Sequence, residues 1–369
     1  MAKDVVHFGV IGTGGQANSV HIGGIRQCPW AELVALCDSN EELLRQRAAE
    51  HGIPAERCYK EYTELLARDD IDAVTIGTPN HLHAPIVIAA AQAGKHVLCE
   101  KPIALNTEEA LQMVAACRAA KVRHMTAFTY RFVPAIRFAT HLVRAGAIGE
   151  VRTLRSRRLQ DWGTRAIGWR QVKALAGTGE VGDMMAHRLD YTQAMIGRIT
   201  RVCGLLRNFI PERERPDGSI QVQDVDDWAS ALAEFATGAV GVYESSKICW
   251  GFGFYAKSPD DLDIHGTEGS IVYRMETPHV LRLGRIGASL EEMPVPAEFL
   301  QPVGGVPGPL VGDPLQTFRF NEIFEFVDAI RHERDCVPSL VDGAQTQAVV
   351  DAIVHSSEER RWVEVLTIE

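Results

Sequence analysis

The stretch GVIGTGGQA, residues 9–17, constrains this chain more than any other. An apolar run, VVHFGVI at 5–11, leads into it and a helical segment follows, so its glycines sit at a strand-turn-helix junction. Gly12 permits a tight turn, Gly14 lets the backbone approach a pyrophosphate, and the small Ala17 lets the next helix pack close to the strand. Gly15 and Gln16 belong to the same turn, where backbone N–H groups at a helix start face phosphates. Asp38 follows the second apolar run, AELVALC at 31–37. A carboxylate there accepts hydrogen bonds from the adenosine ribose and repels a 2′-phosphate, which predicts NAD in preference to NADP. The alternative for Asp38 is a turn or helix-capping acid before Ser39 and Asn40.

Further apolar runs at 71–77, 96–99 and 122–128 alternate with helical segments, as in a parallel sheet with crossover helices. Asn40 is placed to cap EELLRQRAAEHG, which stops at Gly52, and Asn106 with Glu109 resembles a capping box. The spacing predicts an α/β Rossmann dinucleotide-binding domain over 1–128. Beyond it, strand-like runs follow one another without helices, with hairpin turns at Thr237–Gly238 and at 266–269. Residues 129–369 therefore read as an α+β domain with a large, mainly antiparallel open sheet. Two helical patterns, near 317–332 and 343–361, close the chain, and the Pro- and Gly-rich segment 294–314 reads as a long surface loop.

Composition narrows the partners. The 369 residues, 46% hydrophobic and 23% charged, suffice for two cores, and a net charge of -10 weighs against a nucleic-acid surface. The arginine-rich RTLRSRRLQ, 152–160, reads as one solvated face of a strand. No apolar stretch reaches the ~18 residues of a membrane span, and the N-terminus lacks the pattern of a secretory leader. The eight cysteines form no CxxC pair and mostly lie in apolar runs. That predicts reduced thiols in a cytoplasmic protein, with neither disulfides nor structural zinc. His81 and His83 have no nearby carboxylate or cysteine cluster, so no metal is expected.

Open α/β sheets bind ligands beyond the carboxyl ends of their strands. Thr78, Pro79, Asn80 and His83 in GTPNHLHAP, 77–85, are placed to line such a crevice. HVLCEKPIAL, 96–105, ends the next run and brings Glu100 and Lys101 to the same rim. Pro102 biases Lys101 toward extended backbone. Taken alone, a strand-end lysine is solvated; on this rim it faces the cofactor crevice, with Glu100 available to a cation or a cofactor ribose. In GTGEVGDMMAHRLDYTQAMIG, 177–197, helical spacing puts Asp183, His187 and Asp190 on one stripe. Val181, Met184, Met185, Leu189, Met195 and Ile196 lie opposite, so a buried face is expected to hold the helix while the polar stripe points outward. Asp183 and His187 suit an oriented acid/base, and a plain solvated face is the alternative. Gly177, Gly179 and Gly182 permit close approach of backbone to a ligand.

In this order, GVIGTGGQA, DAVTIGTPNHLHAPIVIAAAQAGKHVLCEKPIAL, YRFVPAI, AGAIGEV and GDMMAHRLD resemble the Gfo/Idh/MocA family of sugar and cyclitol dehydrogenases. The resemblance covers essentially the whole chain and is strongest over 5–200. It implies an NAD-dependent oxidoreductase that oxidises a secondary hydroxyl of a sugar, anhydrosugar, glycoside or cyclitol. By the same resemblance Lys101 matches the catalytic lysine, Asp183 and His187 match an Asp-x-x-x-His pair, and Arg131 matches a position near the active-site mouth. RLQDWG, 158–163, resembles the levoglucosan and glucoside 3-dehydrogenase branch, with Trp162 able to cover a pyranose or the nicotinamide. The implied substrate set is thus Lys101, Arg131, Trp162, Asp183 and His187. Oxidation needs a base for the hydroxyl proton and positive charge beside the oxygen, and the residue types leave Lys101 and His187 exchangeable in these roles. An NAD-retaining glycosidase-type enzyme without net redox, or a non-catalytic NAD/sugar-binding regulator, uses the same fold. An open sheet face further predicts a homodimer or homotetramer.

Overall fold

The computed structural model describes residues 5–165, 168–215, 217–253, 259–304 and 317–369. They form two compact units. The first comprises Met1–Ala104, Glu108–Thr129 and Gln301–Ala344, the second Leu105–Thr107, Tyr130–Leu300 and Gln345–Glu369.

The first unit is built on β1 (Val6–Ile11), β2 (Ala31–Cys37), β3 (Cys58–Tyr59), β4 (Ala73–Ile76), β5 (His96–Cys99) and β6 (His124–Thr126), in the order β3-β2-β1-β4-β5-β6. Every pairing is parallel. Helices cover such a sheet on both faces, so β4 (AVTI) is buried throughout. The connecting helices are α1 (Gly23–Gln27), α2 (Glu41–His51), α3 (Tyr62–Leu66), α4 (His83–Gln92) and α5 (Thr107–Ala120). Asn40 caps α2 by accepting from Leu43 N at 3.1 Å, and Gly52 ends it at φ 70°. Because the strand order reverses between β1 and β4, the loops leaving those strands diverge there and open a ligand crevice.

The second unit carries α6 (Pro134–Arg144), β7 (Val151–Leu159), α7 (Lys173–Ala176), α8 (Ala186–Ile196), β8 (Ile199–Arg207), the β9 (Glu212–Glu214) and β10 (Ile220–Val222) ribbon, β11 (Trp228–Phe235) and β12 (Val240–Ser246). It continues with β13 (Asp260–Gly266), β14 (Gly269–Arg274), β15 (Val280–Arg285), β16 (Glu291–Pro294) and α9 (Ala297–Leu300). After α10 (Asn321–Arg331) in the first unit come α11 (Leu340–Glu359) and β17 (Val363–Glu364). The large sheet runs β16-β15-β14-β13-β7-β12-β11-β8-β17, antiparallel except for the parallel pair β7–β12. Both expected hairpins, β11–β12 and β13–β14, are present. One face of the sheet packs on α11: a Cβ on Gly204 would lie 2.6 Å from Ile353 Cγ2. On the other face Leu205, Leu232 and Val240 are 40%, 43% and 39% exposed.

Three expectations change. Residues 301–344 return to the first unit, so its partner is not the contiguous 129–369: Ile323, Phe324, Phe326 and Val327 of α10 are buried, and the Phe326 ring sits 6.0 Å from Phe8 on β1. The segment 294–314 contains α9, whose Phe299 packs 5.1 Å from Phe138; from 305 it lies outside the described residues. The arginines of β7 do not share one solvated face, since Arg158 is 2% exposed and pairs with Asp260 at 3.6 Å. No helix among the described residues is long and apolar enough to cross a membrane.

Candidate active site

In the first unit, β1 delivers Gly12 at φ 81°, where a Cβ would lie 2.8 Å from both the Gly77 carbonyl carbon and Thr78 N. Glycine is therefore required for the turn to cross the end of β4. A Cβ on Gly77 would in turn meet the Ala17 Cβ at 2.9 Å, so the small Ala17 does what its position predicts. Gly14 and Gly15, in contrast, face open space, with nothing within 4 Å of an added Cβ. That bare backbone at a helix start fits a dinucleotide pyrophosphate. Gln16 precedes the π-helical turn Ala17–Ile22.

Asp38 braces this turn: its Oδ2 accepts from Thr13 N at 2.7 Å and Thr13 Oγ1 at 2.9 Å, and its Oδ1 from Asn40 N at 2.9 Å. A carboxylate offers about four lone-pair positions, which leaves capacity for ribose hydroxyls. Thr78 and Pro79 follow β4 half-buried, and Asn80 is 4% exposed. His83 is fully buried, its Nδ1 2.8 Å from Pro102 O and its Nε2 2.9 Å from Thr78 O. Burial lowers its pKa while the two carbonyls oppose that shift. A neutral imidazole has one N–H, so His83 donates to one of these carbonyls while packing between the Thr78 loop and the residue after Lys101. Glu100, 7% exposed, holds His21 Nε2 at 3.2 Å and accepts from its neighbour Lys101 N at 3.2 Å. Lys101, two residues past the end of β5, is half-buried and precedes a cis peptide to Pro102.

In the second unit, the turn Val181–Met185 runs into α8. Asp226 caps its start, accepting from Gly179 N at 2.8 Å and Val181 N at 2.9 Å. A Cβ on Gly179 would overlap the Asp226 backbone. That glycine thus admits protein backbone, where a ligand was expected. His187 and Asp190 are 3% and 1% exposed, and Asp183 is half-buried. The stripe is therefore not the outward face its periodicity predicts, because residues from another segment cover it. Arg131 grips Asp190 through Nε and Nη2, both at 2.6 Å, and the Tyr130 ring lies 4.5 Å from the His187 ring. Tyr130 also carries the Arg188 guanidinium 4.7 Å above its ring, and Arg188 pairs with the buried Asp260. Arg131 anchors α8 through these two nitrogens. Trp162 is 7% exposed, with Lys247 Nζ 5.2 Å from its ring centroid. Glu180 is fully buried and accepts from Ser245 Oγ at 2.7 Å; burial, opposed by Lys247, pushes its carboxyl up to about 7.

Residues 6–128 match the oxidoreductase family with an NAD-binding Rossmann fold, and residues 136–272 match the Gfo/Idh/MocA C-terminal domain. The chain belongs to the Gfo/Idh/MocA oxidoreductase family. This family member is 32% identical to the levoglucosan dehydrogenase of Pseudarthrobacter phenanthrenivorans, over 98% of each chain. It is 33% identical to the 2,7-anhydro-N-acetylneuraminate hydratase of Escherichia coli, over 60% of this chain and 56% of that one. A solved structure of levoglucosan dehydrogenase in complex with NADH and levoglucosan matches it at a TM-score of 0.88, with 32% identity, over 98% of this chain and 99% of that one.

Sequence reasoning missed the partners that hold the Gfo/Idh/MocA site residues. Tyr130 sits beside Arg131, and a search of that neighbourhood for a ring to cover the helix would have found it. Glu180 and Lys247 meet only through the strand order of the second sheet, which no local pattern encodes. Among the described residues no group of three or more His, Cys, Asp or Glu is placed to hold a metal ion.

Proposed function

We propose that this protein oxidises a secondary hydroxyl of a sugar, anhydrosugar, glycoside or cyclitol, with NAD as hydride acceptor. The observation that carries this reading is the likeness to levoglucosan dehydrogenase along 98% of both chains, with Lys101, Asp183 and His187 all present. Gly12, Gly14, Gly15, Gln16 and Ala17 hold the pyrophosphate and Asp38 the adenosine ribose. Thr78, Pro79, Asn80, Glu100 and Lys101 line the rest of the crevice, and His83 keeps their loops together. NAD, when bound there, would supply the acceptor for the hydride of the carbinol carbon. The hydroxyl proton needs a separate acceptor, and His187, its ring packed on Tyr130, takes that role. Lys101 stabilises the alkoxide, Asp183 orients the substrate or the imidazole, and Trp162 offers an apolar face to a pyranose. Arg131 supports them through Asp190. The eight cysteines are free thiols, mostly buried, which supports a cytoplasmic location.

Positioned acid/base groups are worth ~10²–10⁴ in rate. Lys101→Ala and His187→Ala are each expected to lower turnover at least ~100-fold while NAD still binds. Either variant turning over near the wild-type rate contradicts the assignment. The hydratase relative favours a second reading, in which the same residues act with no net redox. NADH accumulating over many turnovers separates the two.

A further inference from the structure

Behind the Glu-Lys-Pro segment, three titratable side chains from distant parts of the sequence converge within the first unit. His21 lies on the π-helical turn Ala17–Ile22, Glu100 follows β5, and Glu322 is in the first turn of α10. His21 and Glu322 are fully buried, and Glu100 is 7% exposed. His21 Nε2 lies 3.2 Å from Glu100 Oε1 and 3.5 Å from Glu322 Oε1. One imidazole nitrogen thus faces two carboxyl groups in a buried interior, where leaving both of them charged is costly.

The surroundings divide the charge unequally. Burial, with repulsion from Glu100, pushes Glu322 well above the ordinary carboxyl range, against the pull of Arg319. Burial acts in the same direction on Glu100, but the His21 hydrogen bond and the charges of His21 and Lys101 outweigh it and hold that carboxyl low. The Glu100 charge also acts on His83, raising its pKa against burial. Of the two carboxyls Glu322 therefore keeps its proton to higher pH, and Glu100 is the charged acceptor. Wide π turns re-aim side chains and recur at functional sites; here the wide turn is the one that carries His21.

We infer that His21 is a positioning residue that holds the Glu100 carboxylate in place for a ribose hydroxyl of the cofactor, with Glu322 beside the pair as the more readily protonated carboxyl. The inference rests on the reading that Glu100 accepts a hydrogen bond from that ribose. It links α10, far along the chain, to the Glu-Lys-Pro rim, and gives a task to a buried histidine that the proposed chemistry does not use.

The test is calorimetric titration with NAD across the neutral and mildly acidic range. His21→Leu removes the donor and leaves Glu100 buried, so NAD affinity is expected to fall about tenfold and its acid limb to move to higher pH by about one unit. His21→Gln restores an N–H donor and is expected to recover most of that loss. Glu322→Gln keeps a neutral polar group and is expected to bind NAD within about twofold of wild type. A change of fold stability alone moves none of these pH limbs. If Glu100→Gln weakens NAD binding but folded His21→Leu binds with the wild-type affinity and pH profile, the positioning role is overturned and the cofactor reading stands. Failure of the wild-type protein to bind NAD overturns both. Independently of any variant's folding, the His21 Nε2 resonance in ¹⁵N NMR of the wild-type protein is expected to move on NAD addition; a resonance indifferent to NAD overturns the inference.

Discussion

Glu180 shows how strongly one burial decision colours a protein's response to pH. Its carboxyl, ordinarily near 4.5, is pushed up to about 7 by burial against the opposing charge of Lys247. A raised carboxyl binds its proton more tightly folded than unfolded, so stability is fully present below about 4.5 and is lost as pH rises through about 7. The shift corresponds to roughly 3 kcal/mol at ~1.4 kcal/mol per unit. In Glu180→Gln that component is absent, so the fall in unfolding free energy from mildly acidic to neutral pH is expected to be smaller than in wild type. Denaturant melts of both proteins check this, and parallel pH profiles contradict it. At this scale the sequence was legible where a residue's backbone role is local: the conformation at Gly12 and the small Ala17 follow from spacing, and the Asp38–Asn40 contact is the turn alternative it offered, whereas the Asp38 bonds to Thr13 were not foreseen. It was illegible for His83 and Arg131, whose polar atoms are committed to partners that no local pattern reveals.

At the scale of elements, the period-2 pattern of β8, β11 and β12 is what leaves the second sheet half-covered. Leu232 opposes Cys203 on β8 and Val242 on β12, which puts Leu205, Leu232 and Val240 on the face opposite α11. Three large aliphatic side chains at about 40% exposure on a flat antiparallel face suit a second copy of the same surface, since paired sheet faces bury one another symmetrically. Light scattering is expected to give two or four times the chain mass, with Leu232→Glu shifting it toward the monomer; a monomeric wild-type protein contradicts the pairing. The β11–β12 and β13–β14 hairpins of this sheet were legible because turn residues separate alternating runs. The parallel pair β7–β12 was not, since strand neighbours far apart in sequence are set by crossovers and not by local period. The helix of Asp183 and His187 illustrates the same limit. Periodicity gave the stripe, but its cover, Tyr130 and Arg131, arrives from another segment.

For the whole molecule, alternation of runs and helices was enough to read a doubly wound sheet followed by a larger, mainly antiparallel one. The return of 301–344 to the first unit was hidden, because an amphipathic pattern such as that of α10 announces a buried face without naming the sheet it meets. The family supplies the oxidoreductase framework, and Lys101, Asp183 and His187 are the residues proposed to carry the chemistry. The most direct test of that account is continuous measurement of NADH formation by the purified protein, with a panel of pyranoses, anhydrosugars and cyclitols and with NAD and NADP in parallel. The account predicts NADH accumulating over many turnovers with at least one member of the panel, faster with NAD than with NADP. A protein that binds NAD yet yields no net NADH with any of them contradicts it.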